Sequence, residues 1–192
     1  MERDTPTNRS DDVRLIGRAV DDDEWIEGFL EEVPMGVVGL VDDGSPYLVN
    51  QLFVYDPDER AVFLHGAATG RTRNVVEGDG PVEACLTASR MGDLIPAEMP
   101  VDFDVEYRSV VVFGEISLVD GAADKRRALE SIMRKFAPQL SAGDDYEPIA
   151  DDSIERTSVY RIDVEGWSAK RNDAPNDDTT YDYWSVRDDG EE

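Results

Sequence analysis

The chain has 192 residues, 40% of them hydrophobic, which is enough for one domain with a real core and too apolar for global disorder. Lysine and arginine number 19 against 44 aspartates and glutamates, a formal charge of −25, which disfavours nucleic acid and anionic membranes as partners because both are held by cationic contacts. No apolar run approaches the roughly 20 residues that span a bilayer, the polar residues 1–12 lack the apolar stretch of a signal peptide, and the lone Cys85 excludes an internal disulfide; a cytoplasmic protein is expected.

Lys125, Lys135 and Lys170 are the only lysines, so almost every basic residue is arginine. A carboxylate-covered, lysine-poor surface suits a saturated-salt cytoplasm, where a Debye length of about 3 Å at 1 M screens the self-repulsion. We expect a halophilic, archaeal origin; the alternative is an ordinary acidic protein.

Residues 1–20 mix Pro, Asn, Ser and Asp and read as a flexible acidic segment. Asp21-Asp22-Asp23 then precedes Trp25, Ile26, Phe29 and Leu30 at helical spacing, a short amphipathic helix stopped by Pro34. Residues 36–41 form a β-type run, and Asp42-Asp43-Gly44-Ser45 is a hairpin signal leading into a strand over 47–55. A turn at 56–59 leads to a strand over 61–65, short helical or loop structure over 66–80, and a strand over 82–89.

Residues 90–104 carry Gly92, Pro96 and Pro100 and read as irregular. A long strand follows over 105–119, with Gly114 marking a bulge or a barrel corner. Residues 123–137 are the best helix: Ala128, Leu129, Ile132, Met133 and Phe136 form one stripe and Pro138 ends it. The alternation over 158–164 gives a final strand. Residues 172–192 form an acidic tail whose Tyr181, Tyr183 and Trp184 offer docking groups. Strands in hairpin order with one helix between the late ones indicate a mainly β fold, a small Greek-key-like barrel with a few peripheral helices.

One window breaks the acidic pattern: residues 60–76 contain no Asp or Glu. They hold Arg71, Thr72, Arg73 and Asn74, the only histidine, His65, and the glycines Gly66 and Gly70. Cationic forks, hydroxyls, small residues and an absence of carboxylates are what a phosphate site needs. A basic loop meeting an acidic surface elsewhere is the bland alternative. His65, at a strand end beside this window, either donates to a ligand or transfers a proton, or is a hydrogen-bonded imidazole closing a strand. Cys85 reads as a core thiol, and the acidic clusters as solvated surface with no metal-ligand spacing.

The run Phe63-Leu64-His65-Gly66-Ala67-Ala68-Thr69-Gly70-Arg71-Thr72-Arg73-Asn74 resembles the hallmark of the pyridoxamine-phosphate-oxidase-like FMN-binding split barrels, and within them the nitroimidazole-resistance (Nim-type) branch. Gly44-Ser45-Pro46-Tyr47-Leu48-Val49 before Phe53-Val54-Tyr55, the strand Tyr107-Arg108-Ser109-Val110, and Trp167-Ser168-Ala169-Lys170 near the end resemble further family segments in the same order, with Ala169 where glycine is commoner. The resemblance covers roughly residues 23–171 and implies an FMN-binding split-barrel domain over 21–171. It implies FMN at the interface of a homodimer. Arg71, Thr72 and Arg73 would meet the phosphate, with Gly66 beside them, and Leu48, Val49 and Asn50 would lie against the ring. Ser89 would stand near the ribityl chain or ring, and Lys170 belongs to the closing motif. His65 has a histidine counterpart in the Nim-type relatives, and Trp167 is either core or an aromatic lid on the partner's flavin. The implied function is an FMN-dependent oxidoreductase acting on a small nitroaromatic or quinone-like acceptor; the alternative is a non-catalytic carrier or redox sensor, with deazaflavin or haem as variant ligands.

Overall fold

The computed structural model describes residues 7–8, 13–78, 80–175 and 180–182. Among these, the strands are β1 (Thr7–Asn8), β2 (Ala19–Val20), β3 (Met35–Asp42), β4 (Ser45–Asp56), β5 (Ala61–Ala67), β6 (Val82–Ile95), β7 (Asp104–Leu118) and β8 (Thr157–Asn172). The helices are α1 (Asp23–Glu32), α2 (Arg71–Val76), α3 (Ala122–Phe136) and α4 (Asp151–Glu155). No helix among the described residues is long and apolar enough to cross a membrane.

Six strands close a ring in the order β8-β5-β4-β3-β6-β7, with β7 pairing back to β8 and every pairing in the ring antiparallel. The β3–β4 hairpin closes through Asp43 and Gly44, both at positive φ (49° and 76°), the two-residue turn whose twist matches the flanking strands. The seam between β3 and β6 is short: only Val37, Val38 and Gly39 pair across it, with Thr87, Leu86 and Cys85. β8 runs the length of the barrel. Its first half pairs with β5 and its second half with β2 and β1, while β7 follows it along the other edge.

Alternation sets the interior. Val38, Leu40, Phe53, Leu64, Leu86 and Ile162 are all 4% exposed or less and meet in one core. α1 seals this core with Ile26, Phe29 and Leu30; Asp22 caps it by accepting from the Trp25 amide at 3.1 Å, and Asp23 and Glu24 favour its positive end. α3 lies outside the barrel, burying Ala128 with Ala61, Phe63 and Val159.

The structure departs from the sequence reading in five places. Val13 and Val20 are buried and Ala19–Val20 joins β8, so part of the segment expected to be flexible belongs to the fold. Residues 90–95, expected to be irregular, continue β6 through a register shift between Met91 and Leu94. β8 continues eight residues past Val164, the last residue of the strand expected there. The short α4 was not anticipated; it has one buried apolar residue, Ile154. Cys85 is half-buried on the outer phase of β6 rather than in the core, because Ala84 and Leu86 take the inward positions. In the C-terminal segment Tyr181 pairs with Leu94, its amide donating at 3.0 Å and its carbonyl accepting at 2.8 Å. Tyr183 and Trp184 lie outside the described residues.

Candidate functional site

β5 ends in His65, Gly66 and Ala67, and the chain turns at Gly70, whose φ of +125° is a conformation that favours glycine, into α2. This places Arg71, Thr72 and Arg73 on the first turn of α2, beside β4 and the start of β8. A small cavity of about 110 Å³ is lined by Gln51, Gly66, Thr69, Arg71, Arg73 and Tyr160, among others. A Cβ on Gly66 would lie 3.4 Å from the Tyr160 ring, so glycine lets β5 and this ring close on the cavity.

Each cationic side chain is held. Arg71 donates from Nε to Asp42 at 2.6 Å and lies over the Tyr47 ring, 4.4 Å from its centroid. The Tyr47 and Thr72 hydroxyls are 2.9 Å apart, tying β4 to α2. Arg73 donates to Glu77 at 2.5 Å and to the fully buried Ser158 hydroxyl at 3.3 Å. The hydrogen bond to Glu77 raises Arg73 above the usual guanidinium value, and the same bond holds Glu77 below the ordinary carboxylate range. Burial raises the Tyr160 hydroxyl above the usual phenol value.

Two buried polar atoms here have no partner among the described residues: Nε of Arg73 and Nδ1 of His65. Buried donors and acceptors are otherwise satisfied in folded proteins, and orphans mark a place where a ligand or water completes the set. Both belong to the acid-free window.

The other expected site residues separate by strand alternation. Leu48 and Asn50 share the outer face of β4, Leu48 being 67% exposed, while Val49 turns inward and packs against the core. Ser89 pairs with Ser109, which pairs with Lys170, one row across β6, β7 and β8. Trp167 is a core residue, 1% exposed: its indole N–H donates to Asp23 at 3.0 Å and its ring meets Tyr55 edge-on at 6.2 Å. Packed on all sides, it has no face left to cover a flavin, and of the two readings of Trp167 the core reading is the one the structure supports. Tyr47, Ser158 and Tyr160 join the cradle although the sequence assigned them no role. Tyr47 stood in a quoted motif, and the other two were hidden in an ordinary strand alternation.

The model of the pyridoxamine 5'-phosphate oxidase family matches residues 22–171. The chain belongs to that family. No curated protein matches it. Among solved structures, the flavocytochrome Anf3 from Azotobacter vinelandii is 24% identical with a TM-score of 0.74, over 97% of this chain and 83% of that one. The FAD and heme binding protein from Mycobacterium smegmatis is 19% identical with a TM-score of 0.71, over 91% and 80%. A candidate 5-nitroimidazole antibiotic resistance protein from Bacteroides thetaiotaomicron is 21% identical with a TM-score of 0.63, over 81% and 90%. These likenesses are likenesses of fold, the split barrel of the pyridoxamine 5'-phosphate oxidase family.

The residues present suit a flavin phosphate. Arg71, Thr72 and Arg73 offer two guanidinium forks and a hydroxyl around one small cavity, and the orphaned Arg73 Nε is a donor awaiting an acceptor.

Proposed function

We propose that this family member binds FMN between two copies of the chain and works as a flavin-dependent oxidoreductase of nitroreductase type. The observation that carries this reading is the cradle of Arg71, Thr72 and Arg73 with its unpartnered Arg73 Nε and His65 Nδ1. Bound flavin supplies the redox chemistry; the chain supplies binding, orientation and access. On this reading Arg71 and Arg73 hold the phosphate, Thr72 fixes its position, and His65 positions a substrate group or a proton.

Two features support a shared site. Tyr160, at the cradle, and Lys170 are ten residues apart on β8, roughly 33 Å of extended chain, farther than one flavin reaches. Ser89 and Lys170 therefore serve the cradle best from a second copy. The outer face of the β3–β4 hairpin also presents Met35, Val41, Leu48 and Leu52 at 51%, 60%, 67% and 38% exposure. No acid interrupts residues 33–41 or 44–55, so within a chain of charge −25 the acids of this hairpin, Asp42 and Asp43, sit only at its turn. High salt in the cytoplasm is part of the same reading, since screening lets two such copies approach.

The test is the visible spectrum of the purified protein in multimolar salt after incubation with FMN, FAD or haem and desalting. Flavin bands retained with FMN, and lost in Arg71→Ala/Arg73→Ala, are expected, with a dimer by light scattering. Steady oxidation of a nicotinamide donor with a nitroaromatic acceptor would place the protein among the enzymes. Tight FMN without turnover would make it a carrier or sensor, and retention of FAD or haem alone would displace FMN.

A further inference from the structure

At the far end of β8 from the cradle, three arginines stand directly opposite one another. Arg90 of β6 pairs in register with Arg108 of β7, and Arg108 with Arg171 of β8. Two residues further into the barrel on each strand, Ala88, Val110 and Ala169 form a buried row, all 1% exposed or less. With a side-chain period of two, the three arginines share that row's face and crown the barrel rim above it. Like charges directly opposite on neighbouring strands destabilise a sheet.

Carboxylates relieve only part of this. Arg90 pairs with Glu32 at the end of α1, and Arg171 with Asp173 at 3.3 Å. Arg108 is exposed and has no carboxylate partner among the described residues. Arg18 lies at the same rim, bound to Asp104 at 2.6 Å and 5.9 Å from the Tyr107 ring centroid.

A cavity of about 260 Å³ opens here, lined by Arg90, Arg108, Tyr107 and Asn172 together with the acids Glu106 and Asp173. Glu106 is occupied by backbone donors, accepting from the amides of Ala174 at 2.9 Å and Asp93 at 3.4 Å, and Asp173 by Arg171. The cavity therefore presents the Arg108 fork and the Arg90 fork, which it shares with Glu32, while its carboxylates are hydrogen-bonded or paired and the Asn172 amide donates to the Val105 carbonyl at 2.7 Å.

We infer that this rim is an anion site, distinct from the Arg71–Arg73 cradle, which takes a phosphate-class polyanion on Arg90 and Arg108 with Arg171 beside them. Adjacent strands set the arginine Cα atoms roughly 5 Å apart, close enough for their guanidinium forks to converge on one phosphate-class anion. A small diphosphate fits the cavity and carries acceptors for more than one guanidinium fork at once. The inference stands whether or not FMN binds at the cradle.

The experiment is calorimetric titration of the whole chain with inorganic pyrophosphate at fixed potassium chloride, in the wild type, in Arg71→Ala/Arg73→Ala, and in Arg108→Ala. Binding that persists in the cradle double variant and weakens tenfold or more in Arg108→Ala is expected, with Arg108→Lys restoring part of it because the charge returns without the fork. Arg108 is exposed, so its variants should fold; circular dichroism checks this, and Arg108→Gln is the substitute if the alanine variant does not. Binding lost in the cradle variant and unchanged in Arg108→Ala would overturn the site, as would a wild type that ignores pyrophosphate.

Discussion

The indole N–H of Trp167 donates to Asp23 at 3.0 Å, joining the last strand of the barrel to the first turn of α1. The bond buries the polar end of the largest core side chain and anchors the helix that seals the barrel. Trp167→Phe keeps most of the apolar area but removes the N–H···Asp23 hydrogen bond, and a loss of about 1 kcal/mol is expected. Trp167→Ala leaves a cavity and should cost about 3–5 kcal/mol. Urea denaturation measures both. A Phe variant as stable as the wild type but with weakened flavin binding would return Trp167 to the role of a lid.

Gly114 marks a close approach of two strands in the barrel wall. A Cβ there would lie 1.9 Å from the Asp163 carbonyl oxygen, a backbone atom that cannot step aside. The β7–β8 register shifts at this residue: Phe113 faces Gly166 and Gly114 faces Val164, which leaves Glu165 as the extra residue of a bulge. Gly114→Ala is expected to destabilise the fold by about 3 kcal/mol or to prevent folding, whereas Gly17→Ala, where a Cβ meets nothing within 4 Å, should be nearly silent. Equal denaturation midpoints for the two variants would refute the packing argument.

The same bulge explains why part of the fold was not legible in the sequence. Before it, Ile162 and Val164 alternate inward; after it, Gly166, Trp167 and Ala169 are buried, so the inward phase slips by one residue. A period-two reading stops at Val164 because the period itself stops there. Residues 90–95 were missed for a related reason: Gly92 looks like a breaker, yet it makes room for the Glu106 side chain, whose Cβ lies 2.9 Å from where a Cβ on Gly92 would be. The β3–β4 hairpin, α1 and α3 were legible because their signals are local: Asp43-Gly44, the Asp22 cap and an apolar stripe. In the site, the Arg71–Arg73 cluster was visible as an acid-free window and Glu77 lies one helical turn from Arg73, but Asp42 and Ser158 come from strands that only the fold brings to it.

Glu77 competes with any phosphate for Arg73. It holds one terminal nitrogen of that guanidinium from an exposed position four residues along the chain. Glu77→Gln frees the fork and removes a negative charge, so FMN affinity should rise by about two- to fivefold. Arg73→Ala should lower it by about tenfold or more. Fluorescence quenching of FMN on titration reads both, and a Glu77→Gln variant that binds FMN more weakly would show that the carboxylate supports the site rather than competing for it.

The charge of −25 predicts a salt requirement. In dilute buffer the repulsion among carboxylates favours expansion, and it fades once the Debye length falls to about 3 Å at 1 M. The thermal midpoint by circular dichroism should climb steeply with potassium chloride up to several molar, and the far-ultraviolet signal should collapse in dilute buffer. Full structure without added salt would count against a halophilic setting.

Lys135 gives stability an alkaline dependence. Its ammonium donates to the carbonyls of Leu30 and Val33 at 2.9 and 2.8 Å, in the last turn and C-cap of α1, and lies 4.1 Å from the Phe53 ring centroid. Burial disfavours the charge and pushes its pKa down to about 8 from an ordinary 10.5. Between those values the unfolded chain binds the proton that the folded chain has released, so stability rises with pH across that window. The gain is about 1–2 kcal/mol once solvent screening at this half-buried position is allowed for. Above about pH 10 an opposite effect takes over: burial raises the Tyr55 and Tyr160 hydroxyls, so the unfolded chain loses those protons first and stability falls. Denaturation midpoints measured from pH 7 to 11 should therefore pass through a maximum near pH 10. Lys135→Met should remove the rise while leaving the fall, and a wild-type curve that declines steadily from pH 8 would show that Lys135 keeps its ordinary proton affinity in the folded chain.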